Sequence, residues 1–207
     1  MSAFAVRLKD LPELGYTLED KPFPRGEVCM RGPCVFKGYF KNPERTAEML
    51  DDEGFLHSGD VGELYPNGTI KIIDRSKNIF KLSQGEYVAP EKLENIFIQS
   101  PFVAQCLVYG DSLKHCTVAV VVIDPAPLQA YAAQHGTTAQ ALMESQDAGL
   151  KKAVMDEMKE LADKKQLNNI ERPKDIFMTT DAFSVENDIL TPTFKLKRNV
   201  GAKVFKD

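Results

Sequence analysis

Thirty residues in the middle of the chain, 69–98, leave the backbone few choices. Ile70, Ile72 and Ile73 beside Lys71 read as a strand and Ile79 to Leu82 as a second one. Pro90 at a first helical position, followed by Glu91, opens a helix whose apolar residues are Leu93, Ile96 and Phe97. Arg75, Lys77 and Lys81 therefore crowd the turn between two strands, just ahead of Gly85. The arginine offers a planar fork of donors to hydroxyls or phosphate, the lysines are mobile point charges, and the glycine permits a steep turn or a close approach by a ligand. This is chemistry suited to a nucleotide. The competing reading is a solvated hairpin turn that carries lysines on its surface.

Composition narrows the partners. The 207 residues, 43% hydrophobic and 27% charged, suffice for one large or two small domains with a real core. A net charge of -4 provides no global basic field, so no nucleic-acid partner is expected and any phosphate affinity is local. Cys29, Cys34, Cys106 and Cys116 lack paired metal-site spacing, and His57, His115 and His135 are scattered. No zinc signature results, no metal ligand is assigned, and a reduced, cytosolic chain is expected. Arg7 and Lys9 interrupt what would be a signal-peptide core, and the longest apolar run, Val118 to Ile123, is too short to span a bilayer.

The first third holds half the prolines, from Pro12 to Pro66, and reads as strands and turns. Ala5, Val6 and Leu8, then Val28 and Met30, suggest short strands. Asn42 starts one helix with Pro43 in its first turn, and Asp51, Asp52 and Gly54 end it. Asn67-Gly68 between apolar runs is a strong hairpin signal. His57, Ser58 and Asp60 invite a hydrolase reading, which fails on geometry: near neighbours on extended chain point to alternating faces and cannot form a relay of nucleophile, base and orienter. On local grounds Asp60 is as well explained as a turn residue after glycine.

Beyond the Pro90 helix, Val103 to Tyr109 and Thr117 to Ile123 read as β-branched strands separated at Gly110 and Asp111, joined in a small sheet by Ile176 to Met178. Leu128 to Gln134, closed by Gly136, is one helix, and Leu150, Val154, Met158 and Leu161 define another. Met155 and Met158 read as helix core rather than as part of a cofactor site.

Gly-Phe-Leu-His-Ser-Gly-Asp-Val-Gly at 54–62, Gly-Glu-Tyr-Val-Ala-Pro-Glu-Lys-Leu-Glu at 85–94 and Leu-Thr-Pro-Thr-Phe-Lys-Leu-Lys-Arg at 190–198 recur in one order in a known family. Gly-Glu-Val-Cys-Met-Arg-Gly-Pro at 26–33 and Phe-Lys-Gly-Tyr-Phe at 36–40 add to the match. Over about residues 5–200 the chain resembles the C-terminal part of an adenylate-forming acyl-CoA synthetase, most of all a long-chain fatty acid CoA ligase. The resemblance implies an α+β fold: residues 1–75 as the β-rich trailing subdomain of a large lobe, and 76–207 as a small α/β C-terminal lid with a short sheet covered by helices. It implies that Asp60 accepts hydrogen bonds from the ribose hydroxyls of ATP, that Arg75 meets the same ribose, and that Lys77 is a hinge. Lys195 would bridge carboxylate and phosphate during adenylation. Lys81, Gln84 and Gly85 would line the route of the coenzyme A thiol, although one extra residue separates Lys81 from Gly85 relative to shorter relatives. Phe194 stands where glycine is usual, a departure shared by the long-chain subgroup.

The complete enzyme would use ATP, Mg2+ and coenzyme A with a fatty acid, in the cytoplasm, with peripheral attachment to the cytosolic face of a membrane left open. No glycine-rich phosphate loop is present. Gly136-Thr137-Thr138 begins like the family's loop but lacks the glycine, proline and lysine that should follow, so Thr138 reads as a helix start. The chain is therefore expected to be a fragment that partners its own large lobe, binds no cofactor tightly and has no ligase activity alone. A different class stays open, a non-catalytic interaction or regulatory module derived from such a synthetase.

Overall fold

The computed structural model describes residues 4–205. They form two compact units, one ending at Ile79 and the next starting at Phe80. The divide lies a few residues past the expected 75/76, because Ser76–Asn78 forms a 3-10 turn tied back to the first unit. The Ser76 hydroxyl donates to the Gly59 carbonyl at 3.2 Å, and the Asn78 amide donates to Asp74 at 3.3 Å.

The first unit is an antiparallel meander of β1 (Ala5–Lys9), β2 (Arg25–Arg31), β3 (Leu56–Leu64) and β4 (Ile70–Arg75), in that spatial order. Helix α1 (Pro43–Met49) occupies the β2–β3 connection. The Asn42 side chain accepts from the Arg45 amide, and Pro43 opens the first turn, where a missing N–H leaves nothing unsatisfied. At the β3–β4 hairpin Gly68 takes φ 82° and the Tyr65 amide donates to Thr69 at 2.9 Å. Strand β3 escapes a propensity reading because it contains two glycines. Gly62 is dictated by packing, since a Cβ there would lie 2.7 Å from side-chain carbons of both Ile70 and Val28. Val28, Cys29, Phe55 and Val61 are buried.

The second unit starts with a hairpin of β5 (Phe80–Lys81) and β6 (Tyr87–Val88), shorter than the Ile79 to Leu82 strand read from sequence. It continues with α2 (Pro90–Phe97), β7 (Val103–Gly110), β8 (Thr117–Ile123), α3 (Pro125–Gln134), α4 (Ala139–Glu144), α5 (Ala148–Lys164), β9 (Ile176–Thr179) and α6 (Arg198–Val204). Strand β8 is central, antiparallel to β7 and parallel to β9. Helix α3 starts at Pro125 rather than Leu128, because Asp124 caps it by accepting from the Ala126 amide. In α5 the buried residues are Leu150, Val154, Met158 and Ala162, with Leu161 half-buried beside them.

Alternation along the strands gives the sheet two apolar faces. Cys106, Val108, Ala119, Val121 and Met178 enter the main core with Leu93, Phe97, Leu150, Val154 and Met158. Leu107, Val120 and Val122 face the other way, under Phe183, Ile189, Leu190, Leu196 and Phe205. Burial on both faces explains why β8 reads as an unbroken apolar run. The architecture is α+β. Among the described residues no helix is long and apolar enough to cross a membrane.

Candidate functional site

In the first unit Asp60 and Arg75 are register partners at one end of the β3–β4 ladder. Arg75 Nε lies 3.1 Å from Asp60 Oδ1, and both side chains are partly open to solvent. The buried Asp74 carboxylate accepts from the Arg75 amide at 2.7 Å, which sets the backbone beneath the guanidinium. A carboxylate that accepts from two adjacent hydroxyls beside a forked cationic donor suits a vicinal diol.

The turn before Asp60 is held from β2. Gly59 takes φ 72°, a left-handed conformation that glycine adopts without strain. Its N–H donates to Glu27 Oε1 at 3.0 Å, while Glu27 Oε2 lies 2.8 Å from His57 Nδ1. His57 Nε2 lies 3.5 Å from Asp51, whose carboxyl is lowered first by the Phe55 N–H bond it accepts and also by Arg7. The Ser58 hydroxyl accepts from the Asp60 amide, and the two His57 ring nitrogens face Glu27 and Asp51 rather than Ser58, so the geometry offers no nucleophile–base relay.

Pairing across β2 and β3 also joins residues that sequence spacing kept apart. Glu27, Cys29 and His57 each bring one potential metal ligand within 4.8 Å of the others. Glu27 and His57 engage each other, and the Cys29 sulfur lies 3.5 Å from His57 Nδ1 and 3.7 Å from the Glu27 carbonyl. The cluster is thus hydrogen-bonded within itself. Desolvation first, and then the Glu27 carboxylate, pushes the Cys29 thiol up to about 11.

Lys77 is exposed on the turn after Arg75. In the second unit, Lys81 pairs with Tyr87 across the short hairpin and holds its ammonium 5.0 Å from the tyrosine ring centroid. The connecting turn closes with the Leu82 amide donating to Glu86 and the Gly85 amide to Leu82. Gly85 sits at φ 92°, and a Cβ there would meet only Lys81 Cε at 3.8 Å, so its backbone conformation is what requires glycine. Gln84 donates to the His115 carbonyl at 3.1 Å. The hairpin brings Lys81, Gln84 and Gly85 onto one exposed turn.

Lys195 lies exposed on a tight arm, 190–196, closed by the Leu190–Leu196 bridge. The Thr191 amide donates to the Lys195 carbonyl at 2.8 Å, and the Lys195 amide donates to Thr191 Oγ1 at 3.0 Å. Phe194 takes φ 58° and is largely exposed. Three residues on, Arg198 makes two 2.6 Å bonds to the buried Glu94 carboxylate, which also accepts from the Val108 amide. Glu27, Ser76, Glu94 and Arg198 were not singled out as site residues from the sequence. The available signals were the Gly-Glu pair at 26–27 and the glutamate that ends the 85–94 motif.

No protein-family model matches the chain. Among solved structures, the adenylation domain of a carboxylate reductase from Mycobacterium chelonae superposes with a TM-score of 0.85 and 36% identity, covering 99% of this chain and 30% of that one. The A domain of a carboxylic acid reductase from Segniliparus rugosus, in complex with AMP and a co-purified carboxylic acid, matches with the same figures. The chain thus has the fold of the C-terminal domain of adenylate-forming enzymes. Long chain acyl-CoA synthetase 7, peroxisomal, from Arabidopsis thaliana is 48% identical over 197 residues, which are 95% of this chain and 28% of that protein. Long-chain-fatty-acid–CoA ligase 6 from Homo sapiens is 48% identical over 201 residues, 97% of this chain and 28% of that protein. The chain is a homologue of the long-chain acyl-CoA synthetases and spans about 28% of their length.

Proposed function

We propose that the chain serves as the C-terminal portion of a long-chain fatty acid CoA ligase, with Asp60 and Arg75 gripping the ribose of ATP. The supporting observation is their direct pairing at an accessible end of the β3–β4 ladder. In the complete enzyme a fatty acid carboxylate attacks the α-phosphorus of MgATP and releases pyrophosphate. The coenzyme A thiol then loses its proton, its sulfur attacks the acyl carbonyl, and AMP leaves. Both steps develop oxyanion charge, which a lysine in a dry site stabilises.

In this reading Lys195 serves adenylation, while Lys81, Gln84 and Gly85 serve the thiol step. Rotation about Lys77 presents the two groups in turn. Lys195 and Lys81 are both exposed on turns closed by backbone hydrogen bonds, as groups that meet a substrate from another part of the protein should be.

The test places each substitution in a full-length synthetase carrying this chain and times the half-reactions separately. Lys195→Ala is expected to slow pyrophosphate release by about 10² to 10³ while acyl transfer from supplied acyl-adenylate survives. Lys81→Ala is expected to slow the transfer step more. Equal losses in both steps for both variants, or none in either, overturn the division of labour.

A further inference from the structure

The family resemblance gives roles to Asp60 and Arg75 but none to Glu27, although Glu27 is buried and both of its oxygens are committed. One oxygen takes the Gly59 N–H and the other takes His57, which reaches on toward Asp51. From the opposite side the Ser76 hydroxyl holds the Gly59 carbonyl. The peptide groups on either side of the Gly59 Cα are therefore fixed, one from β2 and one from the turn that follows Arg75. Gly59 is the residue at which the backbone turns left-handed before Asp60. Left to itself a glycine samples both signs of φ, and a turn free to do so would scatter the Asp60 carboxylate relative to Arg75.

We propose that Glu27 and Ser76 are positioning residues: they clamp Gly59 and so hold Asp60 against Arg75 in the geometry that receives a ribose diol. The inference rests on the ribose reading of Asp60 and Arg75. It concerns residues that touch no substrate, acting through a backbone turn. The clamp also joins two distant motifs in one device, the Gly-Glu pair at 26–27 and the His-Ser-Gly-Asp run at 57–60. His57 has its place in it as a brace: bonded to Glu27 on one ring edge and facing Asp51 on the other, it fixes the carboxylate that holds Gly59.

The test is titration of isotopically labelled chain with AMP, followed by amide chemical shifts. The unaltered chain is expected to show weak, saturable shifts centred on Asp60 and Arg75 that Asp60→Asn removes. Glu27→Ala is expected to weaken AMP about ten-fold, the loss that goes with one charge-assisted hydrogen bond. Glu27→Gln, which keeps an oxygen for the Gly59 N–H, should stay within about three-fold of the original. Ser76→Ala, which frees the other side of the clamp, should weaken AMP by about three-fold or more. Val28→Ala serves as the control for plain destabilisation: it empties core volume on the same strand without touching Gly59, and should lower the melting temperature but leave AMP affinity unchanged.

If the unaltered chain shows no saturable shift at Asp60 and Arg75, the ribose reading falls and the clamp with it. If it binds, but Glu27→Ala binds equally well or Val28→Ala weakens binding as much, the clamp alone is overturned. Should Glu27→Ala fail to fold, Ser76→Ala decides, and unchanged affinity there overturns the proposal.

Discussion

The Cys29 thiol, pushed from 9.0 to about 11, links a single buried sulfur to the stability of its sheet. Between those values the unfolded thiol ionises while the folded one keeps its proton. The folded state then binds more protons, so stability falls as pH rises through that window. Melting temperatures measured across about pH 8 to 11 are expected to decline, and Cys29→Ala to flatten the decline. Burial raises the Cys106 thiol as well, with Glu94 adding to it, so part of the slope should survive the substitution. An unchanged slope in Cys29→Ala would show that the sulfur is not carrying the effect. At this scale the sequence was legible where chemistry is local. Arg75, Lys81 and Gly85 draw attention by residue type and neighbours, whereas Asp60 does so only through the family resemblance. Glu27 does not, because its meaning comes from His57 and Gly59 opposite it across a sheet.

At the level of elements, the arm carrying Lys195 and helix α6 is tied to α2 by the Arg198–Glu94 pair. Glu94 is buried and Arg198 nearly so, and removing one partner takes the counter-charge from the other in the interior. Arg198→Ala is expected to cost about 3–5 kcal/mol in urea unfolding of the second unit. Replacing Arg198 by Ala and Glu94 by Gln together should cost less than Arg198→Ala alone, and a simple sum of the two losses would argue against coupling. Sequence periodicity captured α2, α5 and the paired strands β7 and β8, where burial imposes a clear repeat. It missed α6, whose seven residues are too few to establish one, and its Gly201 hides a packing role. A Cβ there would lie 2.9 Å from Leu107 on β7. It also overextended the strand at Ile79, since apolar character alone does not separate a two-residue hairpin strand from the turn before it.

For the molecule as a whole, the chain divides into two compact units at 79/80, and boundaries between such units fall where the backbone is open to proteases. Limited trypsin digestion is expected to cut first near Arg75 to Lys81 and leave a resistant second unit. Early cutting throughout β7 and β8 would contradict this. In the sequence, a divide is suggested by the change from a proline- and glycine-rich stretch to alternating helices and strands. Its place at 79/80 was not announced, because that depends on Ser76 and Asn78 bonding backward.

The two-sided sheet also has a consequence for biosynthesis. Strands β7 and β8 leave the ribosome long before Phe183, Ile189 and Leu190, yet these later residues cover Leu107, Val120 and Val122. Gln105 and Phe183 seal that cover with reciprocal bonds of 3.1 and 2.6 Å. Until the arm emerges, the nascent chain presents a wet, β-branched face of the kind that chaperones hold and that aggregates otherwise. A message truncated after β9 would leave that face bare, so the segment bearing Lys195 also helps to close the cover of this sheet.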